Sequence, residues 1–137
     1  MTQEEKDILY RNVIGEIAKM VKRELLKNMV SVKVRLTSGD ESFFLCIMGR
    51  NIDDAIGLLN LLQSASLACA SGLFILIEMD EQVKRQLRIF RASLSVEEEQ
   101  KLYSLSEELG SMFSNAESLL EVIARLRERF PDNFRVC

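Results

Sequence analysis

Residues 47–90 read IMGRNIDDAIGLLNLLQSASLACASGLFILIEMDEQVKRQLRIF, and their order decides the fold. An apolar strand ends at Met48, and a tight Gly49-Arg50-Asn51 turn opens a helix. The apolar residues of that helix (Ala55, Ile56, Leu58, Leu59, Leu61, Leu62, Leu67 and Ala68) go well round the cylinder. A helix apolar on most of its surface is a buried one. Asn51 or Asp53 has the short polar side chain that caps a helix start, and Gly72 is placed to end the helix after about Ala70. Leu73-Phe74-Ile75-Leu76-Ile77 is continuously apolar, the pattern of a strand covered on both faces. Asp80 and Glu81 then open a short basic helix ending near Ala92.

Upstream, residues 3–28 predict a long amphipathic helix. Ile8, Leu9, Val13, Ile14, Ile17, Met20, Val21, Leu25 and Leu26 recur at helical spacing, and Thr2 with Glu5 has the form of a capping box. Residues 29–36 alternate: Val30, Val32, Val34 and Leu36 share one face of a strand, Lys33 and Arg35 the other. Ser38-Gly39-Asp40 is a turn, and residues 43–48 form the return strand of a hairpin. Downstream, Ser95 with Glu98 and Ser114 with Glu117 open helices over 95–109 and 114–130, with Gly110 breaking the first and Pro131 stopping the second.

The expected fold class is therefore α+β, a small three-stranded sheet packed by helices in αββαβα order and followed by two C-terminal helices. Its core should contain Val34, Leu36, Leu45, Leu58, Leu61, Leu62, Leu73, Ile75 and Ile77. Residues 1–93 read as the α+β core domain, and residues 94–137 as a helical hairpin packed on it or extending it. Charge divides at the same place, with 13 Lys/Arg against 12 Asp/Glu before residue 94 and 5 against 9 after it. Neither part has the strongly basic balance of a tight nucleic-acid binder.

Hydrophobic residues at 47% and charged residues at 28% mark an ordinary globular chain. The uncharged run 55–77 is broken by Asn60, Gln63 and three serines, so it reads as core and not as a membrane span. The acidic start MTQEEKDILY has no apolar leader. Three cysteines without a CxxC motif read as two buried thiols and a tail thiol in a reducing compartment, so the expected setting is cytoplasmic.

The chain has no histidine, which removes the usual neutral-pH base and every Ser-His or Cys-His pair. Asp53-Asp54 and Asp80-Glu81 sit at helix starts, where acidic residues complement the helix dipole. No Walker A loop or dinucleotide fingerprint is present, Gly49 and Gly57 being too isolated to make one. The chain is expected not to be an enzyme, and neither cofactor, metal nor small-molecule substrate is implied.

Two surfaces are candidates for binding. Lys84, Arg88 and Arg91, with Arg85 beside them, make a positive stripe on one helix face, suited to phosphates or an acidic partner. Leu119, Leu120, Ile123, Leu126 and Phe130 make an apolar stripe on the last helix, able to pair two subunits.

The run Ile47-Met48-Gly49-Arg50-Asn51-Ile52, followed by Ala55, Gly57, Leu58 and Leu61, resembles the core of a KH domain. The likeness is closest to the KH module of bacterial Jag-type RNA-binding proteins. It implies a GxxG loop whose backbone amides approach nucleic-acid phosphates. Gly49 matches the first loop glycine, Arg50 and Asn51 the variable positions, and Ile52 stands where the family has its second glycine. A weaker resemblance, in the order of helix, hairpin, Ile56-Gly57-Leu58-Leu59, strand and helix, is to the phosphocarrier HPr fold, without its histidine.

The function expected from the sequence is a protein-interaction, adaptor or regulatory module that self-associates or docks a protein partner. The alternative is a KH-like single-stranded nucleic-acid binder using Gly49, Arg50, Asn51 and the stripe Lys84, Arg85, Arg88 and Arg91.

Overall fold

The computed structural model describes residues 2–69 and 73–137. The elements run α1 (Gln3–Lys27), β1 (Val30–Ser38), β2 (Glu41–Gly49), α2 (Ile52–Ala68), β3 (Leu76–Glu78), α3 (Glu81–Ala92), α4 (Val96–Phe113), α5 (Leu119–Arg129) and β4 (Phe134–Val136). The mixed α+β class is as expected, but the described sheet has four strands, in the order β3-β1-β2-β4, all antiparallel. The fourth strand lies beyond Pro131. It is three residues long, too short for an alternating pattern to declare itself.

The hairpin β1–β2 is the sheet's centre. Gly39 sits at φ +57°, a conformation that glycine takes without steric cost, and this closes the turn. The register pairs Val32 with Ile47 and Val34 with Leu45 on the inner face, and Lys33 with Cys46 and Arg35 with Phe44 on the outer one. Val32, Val34, Leu36, Leu45 and Ile47 are all buried. A single-residue slip would turn these five apolar side chains to solvent, so the alternation itself fixes the register.

The core lies between the inner sheet face and helices α2 and α5. α2 contributes Ala55, Ile56, Leu59, Leu61, Leu62 and Ala65, and α5 contributes Leu119, Val122, Ile123 and Leu126. Helices α3 and α4 pack against α2. Of the nine residues expected in the core, six are buried, while Leu58, Leu73 and Ile77 are partly covered. The segment after residue 93 supplies Leu109, Phe113, Phe134 and the α5 residues to this same core.

Caps set most of the helix starts. Asp54 N–H donates to Asn51 Oδ1 at 2.9 Å, Val83 N–H to Asp80 Oδ1 at 2.8 Å, and Glu5 N–H to Thr2 Oγ1 at 3.2 Å. Ser95 and Glu98 form a reciprocal capping box, which pulls the Glu98 carboxyl below the usual glutamate range through the backbone and hydroxyl hydrogen bonds of Ser95.

Four expectations need correction. α4 continues through Gly110 to Phe113, because a Cβ at Gly110 would lie 3.1 Å from Ala68; the glycine permits close helix packing instead of a break. α5 starts later than expected, capped by Ser118, whose hydroxyl accepts from Glu121 N–H at 3.2 Å; Ser114 closes α4. β3 is Leu76–Glu78, not 73–77. Finally, Cys46 and Cys137 form a disulfide with Cα atoms 5.9 Å apart, where separate thiols were expected; Cys69 takes no part in it. β4 carries Cys137 to the outer face beside Cys46, a juxtaposition across 91 residues that sequence spacing does not express. The expected ends of α2 at Ala70 and Gly72 lie outside the described residues. No described helix is long and apolar enough to cross a membrane.

Candidate functional site

The β2–α2 junction gathers Gly49, Arg50 and Asn51 as expected, but each is engaged within the chain. Gly49 is buried, and a Cβ there would stand 2.6 Å from both Ala55 N and Asp54 Cβ. The glycine lets the strand end lie under the first turn of α2. Asn51 is the cap of that helix, and Arg50 Nε reaches Asp54 Oδ2 at 3.2 Å. Asn133 closes the other side, its Nδ2 donating to the Met48 carbonyl at 2.8 Å while Met48 N–H donates to the Asn133 carbonyl at 2.8 Å. Ile52, where a second loop glycine was sought, is the first residue of α2 and is exposed.

The basic stripe of α3 is partly committed as well. Lys84 Nζ pairs with Glu81 at 3.3 Å. Arg91 Nε donates to the buried Asn60 Oδ1 at 2.8 Å, and its guanidinium also contacts Gln63. Arg85 and Arg88 are exposed. Asn60 is nine residues past Asn51, roughly 14 Å along the helix axis. Arg91 is therefore held to the middle of α2, well away from the Gly49 turn, and serves to satisfy a buried amide.

A groove of about 940 Å³ runs between α2, the end of α3 and α4. Arg91 and Asn60 form part of its wall, facing Glu99, Tyr103, Ser106 and Glu107. Tyr103 hydrogen-bonds Glu107, which pushes its phenol above the ordinary tyrosine value, and Ser106 Oγ donates to the Leu102 carbonyl at 2.6 Å. Arg91 with Asn60 and Tyr103 with Glu107 are thus the side-chain pairs that line the groove.

The apolar stripe of α5 is mostly the inside of the molecule. Leu119, Ile123 and Leu126 are fully buried, and Phe130 is half-buried against Phe134 with ring centroids 5.7 Å apart. Only Leu120 is exposed. The interface expected on this helix is thus occupied by the chain's own sheet. Sequence periodicity reports that a helix has an apolar face; it does not report what covers it.

The uncovered face belongs to α1. Every α1 side chain described is exposed, including Ile8, Leu9, Tyr10, Val13, Ile14, Ile17 and Met20, which are 49–69% accessible. Six of the seven, all but Ile8, fall on one side at the 100° step of an α-helix. The periodicity of residues 3–28 carried this signal, but an amphipathic helix ordinarily covers its own core.

The outer sheet face was also missed. Phe44 is 48% exposed, with Lys33 Nζ 4.6 Å and Arg35 Cζ 5.8 Å from its ring centroid. Arg135 on β4 faces the same side, opposite Cys46. Lys33 and Arg35 were visible as the polar half of an alternating strand. The pairing that sets them around Phe44 was not.

Comparisons with protein-family models, curated proteins and solved structures find no significant match to this chain.

Proposed function

We propose that this chain is a non-enzymatic, self-associating protein-interaction module whose contact face is α1. The observation that carries the reading is the row of large apolar side chains from Ile8 to Met20, all exposed on one 25-residue helix. An isolated helix is marginal in water, and most helical stability in proteins comes from packing an amphipathic face. A contiguous exposed apolar face of this kind marks an interaction surface. The sheet and its helices supply a stable platform that needs none of these residues for its own core. A cytoplasmic setting stays part of this reading, and there the Cys46–Cys137 bond is one that the reducing environment would open.

Light scattering on the full chain and on Ile14→Glu/Ile17→Glu tests the proposal. The wild type should be a dimer or larger, and the variant a monomer whose core melts as before. A wild-type chain that stays monomeric at the highest attainable concentration would overturn it.

A second reading, weak single-stranded nucleic-acid binding, is favoured by the outer sheet face and no longer by the Gly49 turn. An exposed aromatic ring on an antiparallel sheet, flanked by cations, is the arrangement on which bases stack while phosphates are neutralised. This reading predicts salt-dependent binding of a short RNA that Phe44→Ala abolishes and Arg88→Glu/Arg91→Glu leaves in place. Loss through the α3 variant alone would return the site to the helix.

A further inference from the structure

The interaction reading leaves open what lies on α1, and its charge pattern points to an answer. By sequence, residues 3–12 carry Glu4, Glu5 and Asp7 against Lys6 and Arg11, whereas residues 19–27 carry Lys19, Lys22, Arg23 and Lys27 against Glu24. The helix is therefore acidic at its start and basic at its end. That arrangement also suits its own dipole. By sequence the apolar residues of the helix run from Ile8 to Leu26 and centre on position 17, two residues from the midpoint of Gln3–Lys27.

We propose that the partner covering α1 is α1 of a second copy of this chain, laid antiparallel to it. The proposal rests on the interaction reading and deepens it by naming the occupant and its direction. A two-fold axis near the middle of the helix puts apolar stripe on apolar stripe, since the stripe is centred there. The same axis sets the acidic start of each helix beside the basic end of the other. A parallel pair would bring acid to acid and base to base over the helix's length of roughly 37 Å. Closed two-fold pairing through one self-complementary patch is the commonest form of homo-oligomer. The apolar contact supplies the attraction, and the charges select the direction.

Sedimentation equilibrium of the full chain tests the direction in two ways. Salt screens attraction and repulsion alike, so an antiparallel dimer should weaken as salt is raised, whereas a parallel one should strengthen. Glu4→Lys/Glu5→Lys/Asp7→Lys should weaken the dimer roughly tenfold or more at low salt, because several surface pairs per dimer turn from attraction to repulsion. Adding Lys22→Glu/Arg23→Glu/Lys27→Glu to the same chain should recover most of that loss. In a parallel dimer the first triple variant also weakens pairing, because its three lysines join Lys6 and Arg11 and set two strongly basic ends side by side, but the second triple variant then recovers nothing. A dimer that strengthens with salt, or whose loss the second triple variant fails to restore, overturns the antiparallel assignment while the interaction reading stands. A monomeric wild type overturns the interaction reading itself.

Discussion

Gly49→Ala separates a structural glycine from a nucleic-acid loop glycine. The added methyl carbon would stand 2.6 Å from Ala55 N and 2.6 Å from Asp54 Cβ, and 3.0 Å from Asp54 C. Carbon atoms in contact normally keep about 3.5–4.0 Å, so the first turn of α2 must lift by roughly 1 Å. It is poorly placed to do so, because Ala55, Ile56 and Leu59 are wedged into the core directly behind it. Overpacking of this kind costs about 1–3 kcal/mol. Gly49 does not have positive φ, so alanine brings no backbone strain and returns roughly 0.4–1 kcal/mol by restricting the unfolded chain. The net expectation is a destabilisation centred on about 1.3 kcal/mol, read as a fall in melting temperature of roughly 5 °C by calorimetry. Gly57→Ala is the control. Its Cβ would meet only the edge of the Phe90 ring at 3.3 Å, and a helix-interior alanine gains about 0.5–1 kcal/mol, so its stability should be unchanged or slightly higher. A Gly49→Ala protein that melts with the wild type yet loses RNA binding would refute the packing argument and restore the loop reading.

Leu126→Ala should cost about 2–5 kcal/mol in a denaturant melt without altering self-association, since Leu126 is fully buried; Leu120→Ala, at the surface, should change stability by under about 0.5 kcal/mol. Reducing the Cys46–Cys137 bond, which closes a loop of 91 residues, should lower unfolding free energy by roughly 2–5 kcal/mol, measured by denaturant titration with and without reductant. The Glu98 carboxyl is held below its ordinary value by Ser95, so its contribution is present above the unfolded glutamate pKa of about 4.3 and is lost as pH falls through the lower folded value. Ser95→Ala should therefore flatten the acid limb of a stability–pH curve and leave the alkaline limb as it was.

The parts of the fold legible in the sequence are those where one residue type has one physical job. Alternation at Val32, Val34 and Leu36 gives the buried strand face, and Asn51, Asp80 and Ser95 give helix starts because short polar side chains satisfy orphan amides. What was not legible depends on partners distant in the chain. Gly110 reads as a breaker until Ala68 is beside it, and Cys137 reads as a tail thiol until β4 pairs with β2. Which apolar helix face stays open is illegible for the same reason. α1 and α5 have similar apolar periodicity, and only the tertiary arrangement decides that α5 covers the sheet while α1 is left exposed.

Amide hydrogen exchange measured over a range of protein concentrations tests the exposed face of α1 most directly. A helix without a packed face opens with a free energy near zero, so its amides exchange almost freely unless something covers it. Protection in α1 that rises with concentration, beside constant protection in α2 and β2, is the predicted result. Exchange in α1 that is fast at every concentration, or equally slow at high dilution, would contradict self-association through this helix.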